Sequence, residues 1–101
     1  MSASEGERTN ARATMRRLSQ QRDILQYHLQ LIESSKHTAE LNFQRVWDGM
    51  PATWKRTREG VQFKANAGEE NQRYIEELEA VEDELDVIRN ELQSLVTVAF
   101  G

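Results

Sequence analysis

The chain has 101 residues, 38% of them hydrophobic and 30% charged, with a formal net charge of −4, two His and no Cys. That length holds one domain at most. With no Cys there is no disulfide framework and no thiolate metal site, and two histidines fall short of the four ligands a zinc site usually takes.

The opening residues 1–7 are polar and acidic and read as a disordered lead without the apolar core of a signal peptide. From Arg8 to Val46 no Pro or Gly occurs, and Gln, Arg, Leu and Glu, all good helix formers, predominate. Along this stretch Met15, Leu18, Arg22, Leu25, Leu29, Ile32, Lys36, Ala39, Phe43 and Val46 follow steps of three and four, and eight of the ten are apolar. Such a sustained pattern predicts a coiled-coil helix over residues 8–46. Arg22 and Lys36 interrupt the seam, and interruptions of this kind fix register and partner when a carboxylate lies opposite.

Residues 47–68 differ in character and are read as a connector. They hold three of the five Gly, the only Pro and both Trp. Asp48-Gly49 is a turn pair, and Pro51 ends any helix arriving from the N-terminal side. Beyond it, Ala52 and Trp54, then Val61, Phe63 and Ala65, alternate with polar residues around Thr57-Arg58-Glu59-Gly60. That alternation suggests a minor β-hairpin, with an irregular loop or a bent helix as the other readings.

A second helix is expected over residues 69–98. Gly68 supplies a breaker, and Glu69 and Glu70 suit the positive end of the helix dipole. Its seam, Tyr74, Leu78, Val81, Leu85, Ile88, Leu92 and Leu95, is apolar at every position, with Glu77, Glu84 and Glu91 alongside. The tail continues apolar through Val96, Val98 and Phe100, as a partner or client surface would.

Charge follows the same division. Residues 1–46 sum to +2, residues 47–68 to +2 and residues 69–101 to −8. The acidic third repels polyanions, which disfavours extended nucleic-acid contact. It also suits the basic first helix as a neighbour: in an antiparallel fold-back, Lys36 would lie near Glu77 to Glu84 and Arg22 near Glu91.

No catalytic constellation emerges. Ser34, Ser35 and His37 are read as solvated polar positions of a helix rather than a catalytic arrangement. Glu76, Glu77, Glu79, Glu82, Asp83, Glu84 and Asp86 contain pairs that imitate an acid/base dyad, yet carboxylates on an exposed helix face stay ionised and solvated. These acids lack the loop and Gly of a calcium site, and Gly60 and Gly68 do not form a phosphate loop. His28 lies beside the first seam, where a neutral, partly exposed imidazole is the simple reading and a pH sensor the sharper one. Arg8, Arg12, Arg16 and Arg17 make a basic stripe without interleaved aromatics, which fits a solvated face better than a phosphate track. Trp47 and Trp54 are either a plug at the end of the coil or anchors for a partner.

Two families are similar to parts of the chain. The order helix, small β element, helix resembles the β-type subunits of prefoldin, with Gly49-Met-Pro-Ala-Thr-Trp-Lys-Arg in place of a Gly-containing strand and Asn66, Gln72-Arg73 and Ile75-Glu76-Glu77-Leu78 opening the second helix. That resemblance implies a strand platform from Ala52, Trp54, Val61 and Phe63 and a holdase chaperone whose helix ends, with Val98 and Phe100, grip unfolded clients. Trp47-Asp48-Gly49 near the midpoint is also similar to the bend of small secreted Trp-x-Gly helical hairpins. That family's Tyr-x-x-x-acid export signal is missing, since Leu78 stands four after Tyr74, and Gly60 and Gly68 would break a helix that the family keeps straight.

The sequence therefore predicts an all-α protein of two long coiled-coil helices, most simply an antiparallel hairpin or part of a helical assembly. The expected function is that of a non-enzymatic structural or adaptor subunit, without metal, cofactor or small-molecule substrate. It would reside in the cytoplasm or inside an assembled particle, since no run of about 18 apolar residues is present to span a membrane. Partners would be other protein chains, held through Trp47, Trp54, Leu78, Leu85, Leu92, Val98 and Phe100.

Overall fold

A computed structural model describes residues 3–101. It is all-helical, with α1 over Glu5–Gly49, a single turn α2 over Ala52–Lys55 and α3 over Arg58–Phe100. No strand occurs among the described residues, so the β-hairpin expected in the connector is replaced by helix.

Each helix start has a local cause. The Glu7 amide donates to Ser4 Oγ at 3.2 Å, so Ser4 caps α1 and residues 5–7 are helix, not a disordered lead. Thr57 does the same for α3: its Oγ1 accepts from the Gly60 amide at 3.2 Å. Its carbonyl takes the first helical bond, from Val61 at 3.0 Å. The second helix thus begins at Arg58 rather than 69, and Gly60 and Gly68 lie inside it. Gly49-Met50-Pro51 ends α1, because Pro51 has no amide to donate and restricts Met50 to extended backbone.

The chain divides into two compact units, residues 1–29 with 80–101, and residues 30–79. In the first, the N-terminal part of α1 pairs with the C-terminal part of α3. Ala11, Leu18, Leu85, Ile88 and Ala99 are its buried core, with Leu85 only 2% exposed. Arg12 closes it by donating from Nη2 to the Ala99 carbonyl at 3.2 Å, and its guanidinium lies 5.4 Å from the Phe100 ring centre. That carbonyl is among the last four of α3, which lack intrahelical partners. The last turn of α3 contains no basic residue, so Arg12 supplies the cation favoured at the negative end of the dipole.

The second unit is a helix–bend–helix hairpin. Phe43 stacks on Phe63 with ring centres 5.5 Å apart. Beyond this pair the seam positions Ala39, Lys36 and Ile32 of α1 and Ala67, Asn71 and Tyr74 of α3 are each half-buried, and of this unit's residues only Gly60 is fully buried. An open groove of about 1040 Å³ results, with Leu31, Ala39, Phe43, Ala67, Gly68 and Tyr74 among the residues of its walls.

Among the described residues, the cross-helix ion pairs expected of the seam cations are not formed. Lys36 Nζ bonds Glu40 Oε1 at 2.6 Å along α1, and Arg22 lies 3.4 Å from its neighbour Asp23. An i,i+4 carboxylate is held in reach by the helix itself. The Lys36 bond also holds the Glu40 carboxyl below its ordinary pKa.

Two outcomes follow from this packing. Leu85→Ala should cost about 2–5 kcal/mol in denaturant unfolding, while the exposed Glu82→Ala stays within about 0.5 kcal/mol; equal effects would place the core on the wrong face. Amide hydrogen exchange should be faster around the half-buried Lys36, Ala39, Ala67 and Asn71 than around Leu18 and Leu85. Uniform protection along both long helices would contradict this.

Candidate protein-interaction surface at the bend

Four aromatic rings gather where α1 ends. Phe43 and Trp47 are one helical turn apart and stack at 5.5 Å. Trp47 meets Trp54 edge-on at 6.1 Å, and Trp54 meets Phe63 edge-on at 5.7 Å. These offset and edge contacts suit the ring quadrupoles, each adding about 0.5–1.5 kcal/mol beyond area burial. The two Trp expected at the connector are therefore brought together, each half-buried.

Gly60 makes this closure possible. A Cβ there would overlap the Trp54 carbonyl oxygen and lie 2.9 Å from Lys55 Cα. The obstruction is backbone, which cannot swing aside, so α2 rests directly on the first turn of α3. Thr57 ties the corner: its amide donates to the Trp54 carbonyl at 2.9 Å.

Cations surround the rings. Lys55 Nζ lies 5.2 Å from the Trp47 ring centre and Lys64 Nζ 5.7 Å from it. Arg45, Arg56 and Arg58 are exposed nearby in sequence. None of these five cations is in an ion pair among the described residues. Cation–π contact leaves the ammonium partly hydrated and available to a carboxylate.

The other sequence-predicted interaction residues are dispersed. Leu78 and Leu92 are half-buried seam residues and Leu85 is core, so packing within the chain already uses them. Val98 is half-buried, and Phe100 is 68% exposed beneath Arg12. Val46 is 45% exposed, because the seam steps from Phe43 to Trp47, not to Val46. His28 and His37 are both exposed.

The sequence reading missed two features. Phe63 and Gly60 belong to the second seam, reached by stepping back from Tyr74 through Asn71 and Ala67. It also passed over Ile24, Tyr27, Leu31 and Leu41, which are 47–62% exposed. Leu31 stands on the wall of the open groove, and helix periodicity turns Tyr27 and Leu41 away from the seam.

The described residues contain no cluster of three or more His or acidic side chains able to hold a metal. No helix among them is long and apolar enough to cross a membrane. No family model, curated protein or solved structure matches the chain. What fold and surface define is a class: an all-α protein of two long helices with an aromatic, cation-rimmed bend.

Gly60→Ala should cost about 1–3 kcal/mol through overpacking and should red-shift Trp fluorescence as α2 is displaced. Gly68→Ala, with nothing within 4 Å of its added methyl, should instead stabilise the helix by up to about 1 kcal/mol. Equal responses at the two glycines would mean that α2 does not rest on α3.

Proposed function

We propose that the chain is a non-enzymatic structural or adaptor protein that pairs with another helical chain, a second copy in the simplest case. The observation that carries this reading is the set of exposed apolar side chains on α1. Ile24 and Tyr27 in the first unit, and Leu31 and Leu41 in the second, stay in solvent although each unit already has its seam. A single exposed apolar residue is ordinary, whereas a set of them on one helix marks an interaction site. Side-by-side helix packing would cover it, and the adaptor reading keeps the chain in the cytoplasm or inside an assembly.

A second reading is the small secreted Trp-x-Gly helical hairpin. It is supported by Trp47-Asp48-Gly49 closing α1 and by α3 continuing without a break through Gly60 and Gly68. Leu78 in place of an acid after Tyr74 counts against it. The prefoldin-like holdase reading loses its support, since Ala52, Trp54, Val61 and Phe63 lie on helices, not on strands of a platform.

Sedimentation at high salt tests the pairing. The wild-type chain should form a dimer or larger species, and Leu31→Lys with Leu41→Lys should give a monomer of unchanged helicity. A wild-type chain that stays monomeric at every concentration would remove the proposal. Finding the chain outside the producing cell, with export lost in Trp47→Ala, would favour the secreted reading.

A further inference from the structure

The bend carries two features that packing within the chain leaves unused. The first is its charge. Residues 45–64 hold five cations against two acids, whereas residues 69–101 sum to −8. Arg45, Lys55, Arg56, Arg58 and Lys64 have no ion-pair partner among the described residues. Of the two acids, Asp48 already accepts from Gln44 Nε2 at 2.8 Å. The five cations come from all three helices and do not share a side. Arg45 is on α1, Lys55 closes α2 and Arg56 caps it. On α3, Arg58 lines the recess of Trp54 and Phe63, whereas Lys64 lies over Trp47. Six residues separate these two, which turns them about 120° apart around the helix. A peptide or a second hairpin would touch the bend on one side and leave some of these cations unmet. A flat anionic layer that receives the end of the hairpin meets them all.

The second feature is apolar. Val46 and Val61 are 45% and 59% exposed, and Pro51 and Ala52 between the helices are exposed too. Trp54 and Phe63 meet edge-on beside a recess of about 520 Å³. Trp suits the surface of a bilayer, where its ring is apolar and its N–H stays wet. Lysine and arginine stems lie along apolar surface there while their charges reach the headgroups.

We infer that the bend docks on the headgroup layer of an anionic bilayer. Its five cations meet phosphate and carboxylate oxygens, and Trp54, Val46 and Val61 reach the acyl boundary. The contact lies at the surface and needs no spanning helix; none occurs among the described residues. Each Lys or Arg near an anionic surface adds to the attraction, which fades within a Debye length. After Glu69 and Glu70, the next acid of α3 is Glu76, twelve residues past Lys64. That is about 18 Å further along the helix axis, so salt screens it from a layer at the bend. An extended polynucleotide would instead run on beside these acids and would offer the valines nothing apolar.

Co-sedimentation of the full chain with vesicles of phosphatidylcholine and phosphatidylserine in equal parts tests the contact, with phosphatidylcholine alone as reference. Both Trp of the chain lie at the bend, so Trp emission reports this region alone. The mixed vesicles should capture the chain and shift its emission to the blue. High salt should release it, and the neutral vesicles should bind little. Arg45→Glu and Arg56→Glu, both exposed, should each weaken capture by roughly tenfold or more at unchanged helicity. Arg17→Glu, the same charge change in the first unit, should leave capture nearly unaltered. If Arg45→Glu lost helicity, Lys64→Glu would take its place. No capture by the mixed vesicles, equal capture by neutral ones, capture without an emission shift, or indifference to either bend reversal would overturn the inference. So would an equal loss in Arg17→Glu. Tighter binding of poly-glutamate or duplex DNA than of the vesicles would overturn it too, and would make the occupant an acidic protein or a nucleic acid. Pairing through α1 is measured without lipid, so the two ideas fail separately.

Discussion

Covering one apolar stripe on each of two long helices is the constraint on which the structure depends. α1 has 45 residues and α3 has 43, and most of their side chains are polar. Helices of such composition gain little in water from propensity alone; packing of the apolar face supplies most of their stability. Each unit meets that need by setting the α1 seam against the α3 seam. In the first unit the large aliphatics Leu18, Leu85 and Ile88 do this well. A stripe needs only part of a helix circumference, so the remaining faces are free to carry the acids of α3, the arginines of α1 and the unpaired apolar side chains on which a partner can act.

The bend solves a different problem. Where α1 stops, its seam would end on exposed aromatic surface. Trp47 and Trp54 fold over Phe43 and Phe63 instead, and Gly60 lets the α2 backbone approach closely enough to close the corner. The plug and anchor readings of the two Trp therefore describe two faces of one cluster. Their inner faces seal the hairpin, while the recess over Trp54 and Phe63 and the lysines on Trp47 face outward. Packing that immobilises the rings also immobilises the cations on them, and a preorganised cation spends less entropy on meeting a carboxylate.

Helix type and both seams were legible because a three-four repeat sustained over several heptads fits little besides a packed helix. Met15 to Phe43 and Tyr74 to Leu95 lie where that repeat put them. The boundaries were lost to stronger local effects. Ser4 with Glu7 three residues on is a capping signature, but it lies in a short polar stretch that composition marks as disordered. Thr57 reads equally as a turn residue and as an N-cap, and only the Gly60 amide on its hydroxyl separates the two. Gly60 and Gly68 each cost about 1 kcal/mol of helix propensity, a penalty that tertiary packing overrides here. The alternation that suggested strands from Ala52 to Ala65 was too short to tell period two from helical spacing, and the aromatic contacts favoured helix. For Lys36, Glu40 was the nearer carboxylate; distance on one helix outweighed net charge on the other.

The difference in packing between the two units bears on where function resides. The first unit has aliphatic layers, a buried Ala99 and an Arg12 contact that closes its helix ends. The second has alanine, lysine and asparagine among its half-buried seam positions, and the Asn71 carbonyl oxygen has no donor among the described residues. Polar residues in a seam cost stability but limit which registers pack well. The second unit thus has little core, and elements with few buried contacts open at lower free energy. Added contact therefore has most effect there: a partner covering the α1 face or the bend recess stabilises the unit in proportion to its occupancy. The tightly packed unit has less to gain. That asymmetry places the adaptable surface of this protein at its bend, where the rings fix the geometry and the unpaired cations supply the charge.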